Sequence, residues 1–109
     1  MGYLHYGSGH RFEFDDHLLA HLRSVILSKL LLQESFVFTW VDFGEQRSIW
    51  LHPSLPLQFE FDRQTTPELD REWLEHLSLL ANSPGGLRLT AEESETAEEA
   101  PDRAKAEKS

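Results

Sequence analysis

The sequence predicts an α+β domain: an antiparallel sheet of about five strands with two helices on one face, ordered ββαβββα, with room for one short final β. Three observations carry this reading. Period-two aromatic runs at residues 3–6, 11–14, 36–41 and 57–61 read as strands, and leucine stripes at period 3.6 over 18–30 and 69–80 read as helices. Glycine- and proline-bearing links separate the runs. The compact domain is expected over residues 1–90, and a disordered acidic tail over 91–109.

The first two strands, Tyr3-Leu4-His5-Tyr6 and Arg11-Phe12-Glu13-Phe14, flank Gly7-Ser8-Gly9, which reads as a hairpin with Phe12 and Phe14 on the core face. Asp15-Asp16 then offers carboxylates to the exposed amides of a helix start. Leu18, Leu22, Val25, Ile26 and Leu30 share one face of the helix that follows, at about 16–31. After Gln33-Glu34-Ser35, Phe36, Phe38 and Trp40 alternate with Val37, Thr39 and Val41, so both faces are largely apolar, as in a central strand. A turn at 42–46 containing Gly44 leads to a strand at 47–51, with Ile49 and Leu51 inward. Pro53 and Pro56 flank a link to Leu57, Phe59 and Phe61, and the three runs are expected to form an antiparallel meander. Thr65-Thr66-Pro67-Glu68 has the chemistry of a helix start, with Leu69, Trp73, Leu77 and Leu80 as the apolar face beyond it. Asn82-Ser83-Pro84-Gly85-Gly86 stops that helix, and Leu87-Arg88-Leu89 has the alternation of a short strand.

Composition narrows the function classes. The 109 residues fit one domain, and all seven Phe and three Trp precede residue 74, where the core must therefore lie. There is no cysteine, which removes disulfides, thiolate zinc sites and cysteine nucleophiles and suits a reducing cytoplasm. No run approaches the roughly 18–20 apolar residues of a membrane span, and the opening residues lack the basic-then-apolar order of a secretory signal. A cytoplasmic protein that binds no membrane is the expectation.

The formal net charge is −9. Seven acids and three bases lie from Ala91 onward, leaving the domain twelve acids and seven bases, or −5. Those bases are spaced singly along the chain, whereas phosphate backbones are held by clustered Lys and Arg. Nucleic-acid binding is therefore disfavoured.

Catalytic and metal chemistry find little to stand on. His17 and His21, four apart on the first helix, share a face and are the candidate metal pair, but no third ligand is legible. A pair of solvated or partly packed histidines is the plainer reading. No Gly-x-Ser-x-Gly elbow occurs, and Gly85-Gly86 follows a helix rather than opening one, so no phosphate loop or cofactor is expected. The binding candidates are instead Tyr3, Trp50, His52 and Ser54. If the helices cover one sheet face, Tyr3, Val37, Val41 and Trp50 occupy the other, and exposed Trp and Tyr mark protein contacts or self-association. His52 and Ser54 join Trp50 at a strand end, where the plainer reading has His52 bonded to turn backbone.

Met1-Gly2-Tyr3-Leu4-x-Tyr6-Gly7, Leu19-Ala20-His21-Leu22, Glu34-Ser35-Phe36, the run from Ile49 to Leu57 and Asn82-Ser83-x-Gly85-Gly86-Leu87 resemble a family of small actinobacterial proteins classed as a domain of unknown function. Many of its members carry the label "ATP-dependent DNA ligase", and the resemblance implies that label as an alternative function, an accessory factor in nucleic-acid metabolism. Ligase activity itself requires a Lys-x-Asp-Gly motif. The three lysines, Lys29, Lys105 and Lys108, lie outside any such motif. The family also tends to have a basic, glycine-containing link where this chain has Leu31-Leu32-Gln33. The expectation is a non-enzymatic protein-interaction module, with nucleic-acid accessory work and a small histidine-based metal protein or enzyme as alternatives.

Overall fold

The computed structural model describes residues 1–62 and 67–94. Strand alternation and glycine freedom build the first unit. β1 (Gly2–Tyr6) and β2 (His10–Phe14) pair antiparallel, Leu4 opposite Phe12, through a turn in which Gly7 takes φ +65°. α1 (Asp16–Leu31) follows, with Asp15 as its N-cap: the carboxylate accepts the His17 N–H at 2.9 Å. The expected stripe is buried, with Leu18, Leu22, Val25 and Ile26 inside and Leu30 partly so.

The helix ends in a reciprocal pair of bonds, Gln33 N–H to Leu30 O (2.9 Å) and Glu34 N–H to Lys29 O (3.1 Å). This is the Schellman arrangement, and it puts Gln33 at φ +63°, a position that usually selects glycine. Lys29 reinforces the corner: its ammonium meets the Glu34 carboxylate at 2.6 Å and the Asn82 side-chain oxygen at 2.8 Å.

β3 (Phe36–Asp42) and β4 (Glu45–Leu51) form a second hairpin, closed by only Phe43 and Gly44, both at positive φ (49° and 80°). Two such residues make a type I′ turn, whose twist matches that of the strands. β4 therefore starts two residues earlier than the sequence suggests. Phe36, Phe38 and Trp40 are buried on the inner face as expected.

The expected meander does not form. β5 (Leu57–Glu60) pairs antiparallel with β1 rather than β4, giving two three-stranded sheets, β2-β1-β5 and β4-β3-β6, in place of one larger sheet. The link explains the departure. Proline cannot donate at 53 or 56, the Leu55 N–H turns back to His52 O (3.1 Å), and the Gly7 N–H donates to Pro56 O (3.0 Å), which brings the chain to β1. β6 (Leu87–Arg88) then adds in parallel to the free side of β3, Thr39 beside Arg88. The two sheets meet through aromatic edges, Phe12 on Trp40 at 5.0 Å and Phe14 on Trp40 at 5.4 Å between centroids.

α2 (Arg71–Ala81) is capped by Asp70, which accepts from Glu72 N (2.9 Å) and Trp73 N (3.4 Å). The expected start at residues 65–68 is thus too early; Thr65 and Thr66 lie outside the described residues, and Pro67 and Glu68 precede the helix. Leu69 is accordingly exposed rather than part of the apolar face, while Leu77 is fully buried.

Past β6 the chain turns helical at 91–94, four residues assigned above to the acidic tail. Thr90 and Glu93 cap one another, Thr90 N–H to the Glu93 carboxylate (2.9 Å) and Glu93 N–H to the Thr90 hydroxyl (3.1 Å). The Ser94 hydroxyl accepts the Val41 N–H at 3.0 Å, satisfying a β3 donor beyond the reach of the two-residue β6. The rest of the tail, 95–109, lies outside the described residues. Among the described residues no helix is long and apolar enough to cross a membrane.

Candidate interaction surface

Strand register decides which side chains face outward on the β4-β3-β6 sheet. Phe36, Phe38 and Trp40 point to the core, so their neighbours Val37, Thr39 and Val41, and the partners Trp50, Ser48 and Gln46, share the other face. The Thr39 and Ser48 hydroxyls hydrogen-bond across it at 2.8 Å. Val37 and Val41 are half-buried, and Trp50 stands beside Val37 with 52% of its surface exposed. The backbone direction matters equally. On β3, Thr39 O and Val41 N turn toward the β6 side, so their alternates on the edge strand β4 (Gln46, Ser48 and Trp50) turn toward the open edge. The Trp50 carbonyl accepts the Tyr6 hydroxyl there at 2.9 Å, a bond that also ties the two sheets together.

The four binding candidates divide. Trp50, His52 and Ser54 are sequential at the end of β4: Trp50 exposed, His52 half-buried with its carbonyl accepting Leu55 N–H, and Ser54 exposed. Tyr3 lies on the other sheet, half-buried, with the Arg11 guanidinium 4.5 Å above its ring. The expected shared face of Tyr3 with Trp50 is therefore split between two sheets.

His17 and His21 also part company. His17 is exposed, whereas His21 is 1% exposed, stacks on Trp73 and uses both nitrogens. Nε2 accepts the Asp70 N–H (2.8 Å), so the proton sits on Nδ1 and is donated to His17 O (2.6 Å). A ring so engaged offers no lone pair to a metal. Two other histidines pair with carboxylates, His5 with Glu60 (2.7 Å) and His76 with Glu93 (2.6 Å), on separate elements. Among the described residues no group of three or more His, Asp or Glu is placed to hold a metal ion.

Sequence reasoning missed the most exposed aromatic. Phe43, at the apex of β3–β4, is 100% exposed. The signal was Phe-Gly between two alternating runs, a two-residue hairpin link. Beneath it opens a cleft of about 450 Å³, lined by Glu13, Phe14, Asp15, Trp40, Asp42 and Phe43 and bounded by Met1 and Ser94. The Met1 amine is held above its ordinary value mainly by its 2.6 Å bond to the Asp62 carboxylate; burial opposes this and Asp16, 3.6 Å away, adds to it. Glu93, behind the cleft, lies below its ordinary value: burial pushes it up, but the Thr90 N–H and then His76 outweigh that.

No curated protein matches this chain, and no solved structure does. A family comparison does match, over residues 1–92, a span that takes in both sheets and both helices. On that match the chain belongs to the family described as Domain of unknown function (DUF7882).

Proposed function

We propose that this domain is a non-enzymatic protein-interaction module working through the β4 side of the β4-β3-β6 sheet. One observation carries the reading: a half-exposed Trp50 on an edge strand, beside half-buried Val37 and with the backbone groups of Gln46 and Ser48 turned to the open edge. An extended partner segment can add to such an edge by main-chain hydrogen bonds, and a neighbouring aromatic supplies the anchoring area. His52 and Ser54 extend that surface past the strand end. Sedimentation of the purified chain over a concentration series asks whether the partner is a second copy. Capture from native lysate, wild type against Trp50→Ser, asks whether it is another protein. A strict monomer that captures the same proteins with and without Trp50 would overturn the proposal.

The finer likeness, to small actinobacterial proteins labelled as DNA ligases, adds no activity. Lys29 is committed to Glu34 and Asn82. The other described bases are also dispersed: Arg47 on Asp42 and Glu45, Arg11 on Tyr3, Arg23 on Phe61, Arg71 facing Glu75, and Arg88 exposed on β6. Cations so distributed support protein binding over a phosphate backbone, and a reducing cytoplasm remains the compartment that suits a cysteine-free chain.

A further inference from the structure

α2 carries leucine on two sides. Leu77 is fully buried against the core, whereas Leu79, two residues on and so across the helix, is 73% exposed. Folding leaves it without a role. It is not isolated, because a shallow groove runs along α2, lined by Arg71, Leu74, Glu75, Ser78, Leu79 and Asn82. Their spacing of three, four, seven, eight and eleven residues from Arg71 makes one continuous stripe at helical period. The charges of the stripe cancel, since Arg71 and Glu75 face each other at 3.8 Å one turn apart. At its other end Asn82 gives its side-chain oxygen to the Lys29 ammonium (2.8 Å), which leaves the amide N–H groups to donate elsewhere.

We infer that this stripe is the contact between two copies of the chain, α2 packed antiparallel on α2 about a two-fold axis. The stripe is complementary to itself in that arrangement, and this identifies the occupant. With the axis beside Ser78 and Leu79, each Leu79 packs on its mate over the small Ser78. Each Glu75 carboxylate then comes opposite the amide N–H groups of Asn82 on the other copy, a charge-assisted hydrogen bond. Leu74 closes the flank. The contact brings no like charges to the axis, although the two molecules, each of formal charge −9, repel at long range. An 11-residue helix offers less than the roughly 800 Å² per partner of a standard interface, so the dimer is weak, half-formed on the order of 100 μM. This surface is on a different element from Trp50 and does not depend on the role proposed for β4.

Sedimentation equilibrium of the full chain, taken to several times that midpoint, should show a reversible monomer–dimer. Salt should tighten it, because screening weakens the long-range repulsion. Leu79→Asp should weaken it at least about tenfold while the melting temperature holds, since the side chain is exposed, which separates lost association from lost folding. The cysteine-free chain allows a second reading. Ser78→Cys, close to the axis, should be joined into a dimer by a short bismaleimide, and Ser8→Cys, exposed on the β1–β2 turn, should not. A strict monomer over the whole range would overturn the inference, as would a dimer weakened by salt or indifferent to Leu79→Asp. A dimer that Trp50→Ser abolishes and Leu79→Asp leaves intact would remove this contact and keep the β4 surface. Leu79-dependent binding of a monomeric chain to phosphatidylcholine vesicles would overturn it as well.

Discussion

His21 lies 4.1 Å from Trp73 between ring centroids, and its Nε2 accepts the backbone N–H of Asp70, the residue that caps α2. One buried imidazole thus joins the two helices and fixes where the second begins. His21→Phe keeps the ring but strands the Asp70 donor, while the His17 carbonyl keeps its helix hydrogen bond. Leaving a buried donor unpaired costs about 1–3 kcal/mol, so urea unfolding should show a loss of that size. His17→Ala, on the exposed neighbour, should stay within about 0.5 kcal/mol of wild type. Equal stability of His21→Phe and wild type would remove the hydrogen bond from the account.

How much of this was legible follows from what each residue interacts with. α1 and the inner face of β3 were readable because their apolar spacing is local and their burial is nearly complete. The partner of β5 was not, because alternation at Leu57 and Phe59 states only that a strand exists. The choice between β1 and β4 depends on the path of the 52–56 link in space. α2 shows the opposite failure. Thr65-Thr66-Pro67-Glu68 is a good start by composition, yet Asp70 takes the cap because His21 holds its N–H, a contact 49 residues distant in sequence. The Thr90 cap was legible: Thr-Ala-Glu-Glu is the Ser/Thr-x-x-Glu pattern, hidden by the acidic composition around it. At the candidate surface, Trp50 emerged from alternation alone, whereas the partition of Tyr3 onto the other sheet needed the strand order.

Two residues hold left-handed conformations that glycine or asparagine occupies more easily, Gln33 at the end of α1 and Phe43 at the hairpin apex. Gln33→Gly relieves the C′ position of the Schellman bond pair, and Phe43→Asn relieves the type I′ turn without loss of packing. Each should raise stability by about 1 kcal/mol, or roughly 4–8 °C in melting temperature for a domain of this size. Calorimetry of the two single variants and the double variant measures this, and the gains should add because the sites share no partner.

Gly2 and Gly86 are held by space rather than by habit. A Cβ on Gly2 would lie 2.6 Å from the Glu60 carbonyl oxygen and 2.7 Å from a Leu19 methyl. At Gly86, φ is +80° and the Cβ would lie 2.4 Å from the Val37 carbonyl. Alanine at either forces backbone apart, at a cost of about 1–3 kcal/mol, with added conformational strain at Gly86. Gly9→Ala, where nothing lies within 4 Å, is the control and should be nearly silent. Hydrogen exchange should localise the damage, to β1–β5 for Gly2→Ala and to β3–β6 for Gly86→Ala.

Glu93 gives the stability of the C-terminal turn a definite pH dependence. Its carboxylate is partly buried, which alone would raise its pKa, but the Thr90 N–H and the His76 ring hold it below the ordinary 4.5. A carboxylate depressed by folding stabilises fully above its unfolded value, and that contribution disappears as pH falls through the folded value. Wild type should therefore exceed Glu93→Gln in stability above about pH 4.5, and the margin should shrink as pH falls below it. Thr90→Ala should remove the other half of the cap at about 1 kcal/mol and flatten the same acid limb. Since Ser94 on this turn covers the Val41 donor, exchange at the Val41 amide should rise in both variants. A margin that persisted unchanged at acid pH would mean that the carboxylate is not ionised in this contact, and the turn would then be held by Ser94 alone.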